Sequence, residues 1–145
     1  TFSIHSESNF PLFKEQSDLD VALPDAADDE AYLAAPAAGL DEILGCVDGE
    51  LAIYLAGADP LAEDRLGNLA LTKEGLARRD RLVLERCRAA GLAVAVVMAG
   101  GYSPRVEDIV AVHLQTVRVA AEMAPGWPAP ARRRASDWFP DRAAV

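Results

Sequence analysis

Two short segments carry side chains that could do chemistry in one place. Gly57-Ala58-Asp59-Pro60 ends an apolar run, Leu51–Gly57 (LAIYLAG). Ala99-Gly100-Gly101-Tyr102 follows a second run, Leu92–Met98 (LAVAVVM). Continuous apolar runs of this length are expected of strands buried on both faces of a parallel sheet. Ligands of such sheets bind beyond the carboxyl ends of the strands, so Asp59 and Tyr102 are expected to face one crevice. An aspartate there can bind a metal or act as a base. A tyrosine there can donate a hydrogen bond to a developing oxyanion. The small residues that open both loops let a ligand approach the backbone closely. The plainer alternative is that Asp59 caps a turn and Tyr102 plugs the end of the sheet.

The elements that must position these loops follow from pattern. Thr1 to His5 (TFSIH) alternates small-polar and apolar, and Leu19, Val21 and Leu23 alternate again, as short or edge strands do. The acids of Asp25 to Glu30 suit a helix N-terminus. That helix is expected to pass Tyr32 and Leu33 and stop near Pro36, with a second helical piece from Leu40 to Cys46. Thr72 can cap a helix from Lys73 to Ala90, with Leu76, Leu82, Val83 and Cys87 on one face and Gly91 as its stop. Ser103 and Pro104 read as N-cap and first residue of a third helix that runs to about Met123. Strand, helix, strand, helix predicts an α/β fold with a parallel sheet. Residues 1–124 read as the structured unit. Pro125 to Val145, with Arg132-Arg133-Arg134, reads as a flexible or loosely docked tail. Its RRRAS stretch is better explained as a solvated basic run than as a kinase site.

Composition bounds the function. The chain has 145 residues, one domain's worth. Its 23 acids against 14 bases give a net charge of −9, which argues against a nucleic-acid partner, since phosphate contact needs clustered Lys and Arg. No apolar stretch is long enough to span a membrane, and no secretory signal is visible at the start. Cys46 and Cys87 are expected to be reduced and structural, which fits a cytoplasmic location.

The stretch GADPLAEDRLGNLALTKEGLARRDRLVLERC, Gly57 to Cys87, and the stretch VVMAGGYSPRVEDIVAVHLQTVRVA, Val96 to Ala120, resemble the rear half of the zinc-dependent histone deacetylase family in its bacterial class IV-like branch. TFSIHSESNFP and KEQSDLDVALPDAADDEAYLAA resemble the segment before it. The resemblance runs from Thr1 to about Met123. It implies a three-layer αβα arrangement with a parallel sheet, the arginase/deacetylase fold, present as an incomplete half-fold. It implies hydrolysis of the acetyl amide of acetyl-lysine at a zinc ion. The family's third zinc ligand matches Asp59, and its oxyanion-stabilising tyrosine matches Tyr102. Gly100 and Gly101 match the floor of the acetyl-lysine tunnel, and Phe10 its aromatic wall. Ser3 and the backbone carbonyl of Ile4 match part of a structural potassium site. Asp64 matches an acid of the same loop as Asp59.

The departures are as informative. A catalytic zinc site needs three protein ligands and an open water position. The family's other two ligands, an Asp and a His two residues apart, precede the segment that resembles TFSIH, as does its paired His-His. His5 and His113 lack that context. His5 belongs to a strand end, and His113 to the third helix, as a satisfied packing or surface residue. The resemblance therefore implies a partner, the N-terminal half of the domain, besides an acetylated lysine or acetylated amine as substrate. A half-fold is also expected to leave a sheet edge and some apolar helix surface uncovered, and so to self-associate.

Three rivals stand beside this. One is a non-catalytic truncated homologue acting as an interaction domain, and another is an acetylpolyamine or other small-amide deacetylase. The third is a nucleotide-binding module suggested by MAGGY between strand and helix. Against the third, GGYSP lacks the G-x-G-x-x-G spacing and there is no P-loop lysine.

Overall fold

The computed structural model describes residues 1–46 and 48–127. The elements, in order, are β1 (Phe2–Ser6), β2 (Leu19–Leu23), α1 (Asp29–Cys46), β3 (Leu51–Gly57), α2 (Lys73–Ala89), β4 (Ala93–Ala99) and α3 (Val106–Met123). β1 pairs with β2 in parallel, with Phe2 opposite Leu19 and Ser6 opposite Leu23. β3 pairs with β4 in parallel, with Leu51 opposite Ala93 and Gly57 opposite Ala99. A parallel pair needs a crossover, and α2 supplies it between β3 and β4.

The α/β fold with parallel strands is as the sequence predicts, and three local expectations change. The helix does not stop at Pro36. α1 is one helix through to Cys46, with Pro36 buried inside it. An interior proline costs about 3 kcal/mol or more, and the burial of Pro36 with Tyr32 and Leu40 on the inner face offsets that. Nor does α1 begin at Asp25. Asp28 caps it, accepting the Ala31 N–H at 3.0 Å. Ser103 and Pro104 do not open α3 either. The Ser103 hydroxyl accepts the Arg105 N–H at 3.4 Å, making a turn, and α3 starts at Val106. Thr72, by contrast, caps α2 as expected, accepting the Gly75 N–H at 3.0 Å.

β3 and β4 are not buried on both faces, as their apolar runs suggest. Ala52, Tyr54 and Val94 pack on Leu40, Val83, Cys87 and Leu92, and Val94 and Val96 pack on Leu84, Val119 and Met123. The alternate residues point the other way. Leu51, Ile53 and Leu55 are exposed, the last two at 65%. Among the described residues nothing covers that face. α3 likewise leaves Val106, Val110, Leu114 and Val117 exposed, a stripe at helical spacing. Trp127 docks on the fold: its indole donates to the Leu92 carbonyl at 3.0 Å, and the Arg88 guanidinium lies over its ring. The rest of the expected tail, 128–145, including Arg132 to Arg134, lies outside the described residues. Cys87 is buried and free, and Cys46 is exposed and free.

Candidate active site

The segment after β3 is anchored by its own leucines. Leu61, Leu69 and Leu71 are buried in one cluster with Ala58, Leu76 and Val112. Leu61 and Leu71 bridge in parallel, and the Leu71 N–H donates to the Pro60 carbonyl at 3.0 Å. Each buried leucine contributes on the order of 1.5–3 kcal/mol, enough to hold a long non-helical loop in one shape. Asp59 is therefore presented by a packed loop.

The Asp59 carboxylate occupies the space that a β-carbon on Gly57 or Gly100 would need, and a β-carbon on Gly67 would collide with the Asp59 carbonyl. The glycines at these positions are required by close approach. Gly100 and Gly101 also have φ of +60° and +106°, the region that favours glycine. Asp59 thus lies against the Gly-Gly loop that carries Tyr102, and the Ala58 N–H donates to the Ala99 carbonyl at 2.9 Å. Burial pushes the Asp59 carboxyl above its ordinary value. The charge of Asp64 adds to that, while the Asp59 backbone and the Arg79 guanidinium oppose it.

The structure brings Asp59, Gly100, Gly101 and Tyr102 to the carboxyl ends of β3 and β4. Ser3 and Ile4 lie in β1, opposite Asp20 and Val21, and Ile4 packs on the core cluster that holds Ala58. The Ser3 hydroxyl sits 3.3 Å from His5 Nδ1. Phe10 is exposed in the segment between β1 and β2. His113 lies in α3, and its buried Nδ1 has no hydrogen-bond partner among the described residues.

Two features escape a reading of the sequence, the partners of Asp64 and a buried ion pair. Asp64 accepts the Tyr102 N–H at 2.5 Å and the Leu66 and Gly67 N–H groups at 2.8 Å each. Arg79 and Asp80 form a buried pair on α2. Asp80 also accepts the hydroxyls of Tyr54 and Thr116, each at 2.6 Å. Arg79 donates to the Gly57 carbonyl at 2.7 Å and stacks on Tyr54. Burial, with the Asp80 charge beside it, pushes the Tyr54 phenol well above its ordinary value. A signal for this pair does exist: Asp80 falls between Leu76 and Val83 on the apolar stripe of α2, where a charge needs a partner.

Among the described residues no group of three or more His, Cys, Asp and Glu could hold a metal ion. Asp59 alone does not fit a catalytic zinc site, which takes three protein ligands. No helix among the described residues is long and apolar enough to cross a membrane.

Comparison with known proteins gives the family. An uncharacterised protein of Picosynechococcus sp. is 47% identical over 123 residues, covering 85% of this chain and 41% of its own length. The acetylpolyamine aminohydrolase of Burkholderia pseudomallei shares the fold, with a TM-score of 0.67 at 20% identity over 81% of this chain and 36% of that one. A histone deacetylase homologue from Aquifex aeolicus superposes with a TM-score of 0.63 at 24% identity, over 79% of this chain and 34% of its own. The chain thus spans about two fifths or less of the length of these relatives. The family model for the histone deacetylase domain matches residues 1–117. With that match over most of its length, and with the parallel α/β architecture of the deacetylase structures, this chain belongs to the histone deacetylase domain family.

Proposed function

We propose that this chain supplies part of a zinc-dependent deacetylase site, with Asp59 as one metal ligand and Tyr102 as the donor to the oxyanion. One contact carries this. The Asp59 carboxylate lies against Gly100 of the loop that presents Tyr102, so a carboxylate and a phenol come to one sheet end, where ligands of parallel sheets bind. The substrate is an acetylated amine, an acetyl-lysine side chain or a smaller acetylated polyamine. In its hydrolysis the Tyr102 hydroxyl donates to the tetrahedral oxygen, a contact of a kind worth about 3 kcal/mol. Gly100 and Gly101 leave room for the acyl group. Phe10 forms one wall of the channel, and Ser3 with the Ile4 carbonyl contributes to a potassium site. The remaining metal ligands and the general base come from residues outside this chain, so no zinc-dependent step is assigned to it alone.

A cavity of about 890 Å³ is lined by residues of β1, α1 and β3. Thr1 to Ile4, Leu51 to Leu55, and Tyr32, Pro36 and Leu40 of α1 line it. We infer that the N-terminal part of the domain docks there.

The test is to express the chain together with the coding region upstream of it and to measure zinc content and acetyl-lysine hydrolysis. Stoichiometric zinc and turnover in the longer protein, and neither in the 145-residue chain, is the expected result. A second reading, an interaction domain without catalysis, draws on the uncovered faces of β3 and α3. It would be favoured by a longer protein that folds but neither binds zinc nor hydrolyses either substrate.

A further inference from the structure

The loop that presents Asp59 also holds the Tyr102 backbone at both its N–H and its carbonyl. Asp64, 9% exposed, accepts the Tyr102 N–H at Oδ2 over 2.5 Å. The Arg65 Nε donates to the Tyr102 carbonyl at 3.1 Å, and the Arg65 backbone N–H donates to the same oxygen at 3.4 Å. The other Asp64 oxygen ties the loop's own turn through Leu66 and Gly67. Tyr102 needs such restraint. It is 55% exposed, so packing does not fix it, and it follows two glycines with positive φ. A chain entering through two glycines has wide conformational freedom. Hydrogen bonds to an ionised carboxylate are about twice as strong as neutral ones, and Asp64 spends one of its oxygens on Tyr102.

We propose that Asp64 is a positioning residue for Tyr102, which it aims by clamping its backbone to the loop that carries Asp59. This rests on the deacetylase reading above for the role of the Tyr102 hydroxyl, but the clamp itself does not. Asp64 does not touch the substrate. It acts through Tyr102, because an oxyanion donor contributes fully only when held within about 2.7–3.1 Å of the oxygen's position. Asp64 follows Asp59 by only five positions in the chain, so the proposed ligand and the donor are carried by one packed unit.

Amide hydrogen exchange on the 145-residue chain tests the clamp. The Tyr102 N–H is expected to be protected and shifted downfield. Asp64→Ala should remove at least about tenfold of that protection, and Asp64→Asn, which keeps a carbonyl acceptor, should retain part of it. If Asp64→Ala raises exchange only at Leu66 and Gly67, Asp64 merely caps its own turn and the proposal is overturned. Should Asp64→Ala not fold, Asp64→Asn with unchanged Tyr102 protection and shift overturns it equally. In the chain joined to its upstream region, Asp64→Asn should lower kcat about tenfold with KM within about twofold, and should add little to Tyr102→Phe. Full additivity of the two losses would overturn the positioning role. A fully active Tyr102→Phe would sink the deacetylase role of Tyr102, and with it the catalytic part of the proposal, while leaving the exchange result standing.

Discussion

The Arg79 guanidinium, 3% exposed, donates a 2.7 Å hydrogen bond to the carbonyl of Gly57, two residues before Asp59. Its charge is met by Asp80 at 2.8 Å, and Asp80 in turn ties β3 through Tyr54 and α3 through Thr116. One buried pair thus joins strand, crossover helix and last helix directly beneath the Asp59 loop. Removing one partner of a buried pair strands the other charge, at a cost of about 3–5 kcal/mol. Arg79→Met and Asp80→Ala should each destabilise the chain by that amount in urea unfolding, and Tyr54→Phe by only about 1 kcal/mol. A loss below about 1 kcal/mol in Arg79→Met would show the pair to be dispensable.

Asp59 should make its own contribution to the pH dependence of stability. Its carboxyl is raised above its ordinary value of 3.8, mainly by burial. The folded state then holds this proton more tightly than the unfolded chain. The group favours folding below about pH 3.8 and loses that contribution as pH rises through its folded value. Asp59→Asn should therefore be more stable than the parent near pH 7, with the gap closing toward the acid end. Urea midpoints measured at several pH values would show it, and a gap independent of pH would contradict the assignment.

Metal should discriminate the roles of the two site residues. In the chain joined to its upstream region, Asp59→Ala should strip zinc, since on the proposed reading it removes one of three ligands. Tyr102→Phe should keep zinc and cut kcat by on the order of 10²–10³. Metal analysis of both variants beside acetyl-lysine assays separates the outcomes. Zinc retained at full stoichiometry in Asp59→Ala would remove Asp59 from the ligand set.

The uncovered sheet face should govern solution behaviour. Leu51, Ile53 and Leu55 form an apolar strip on β3, and α3 adds Val106, Val110 and Leu114. Contiguous exposed apolar patches drive association. The isolated chain should self-associate in light scattering, and Ile53→Lys with Leu55→Lys should shift it toward monomer. A parent chain that is already a stable monomer at high concentration would refute this.

The sequence by itself determined the two parallel strand runs, the α2 cap at Thr72, and the placement of Asp59 and Tyr102 on loops at one sheet end. These are local features. An apolar run, a capping threonine and a glycine pair each specify their own few residues. It also carried the family resemblance. The tertiary structure decided what depends on contacts between distant segments. Pro36 stays inside a helix because burial outweighs one missing hydrogen bond. Asp80 sits in the core because Arg79, Tyr54 and Thr116 converge on it from two helices and a strand. Half of β3 faces outward because an apolar run reads the same whether one or both faces find a partner, and here helices cover one. Asp64 gains its partner at Tyr102, 38 residues away, a separation that no local pattern encodes.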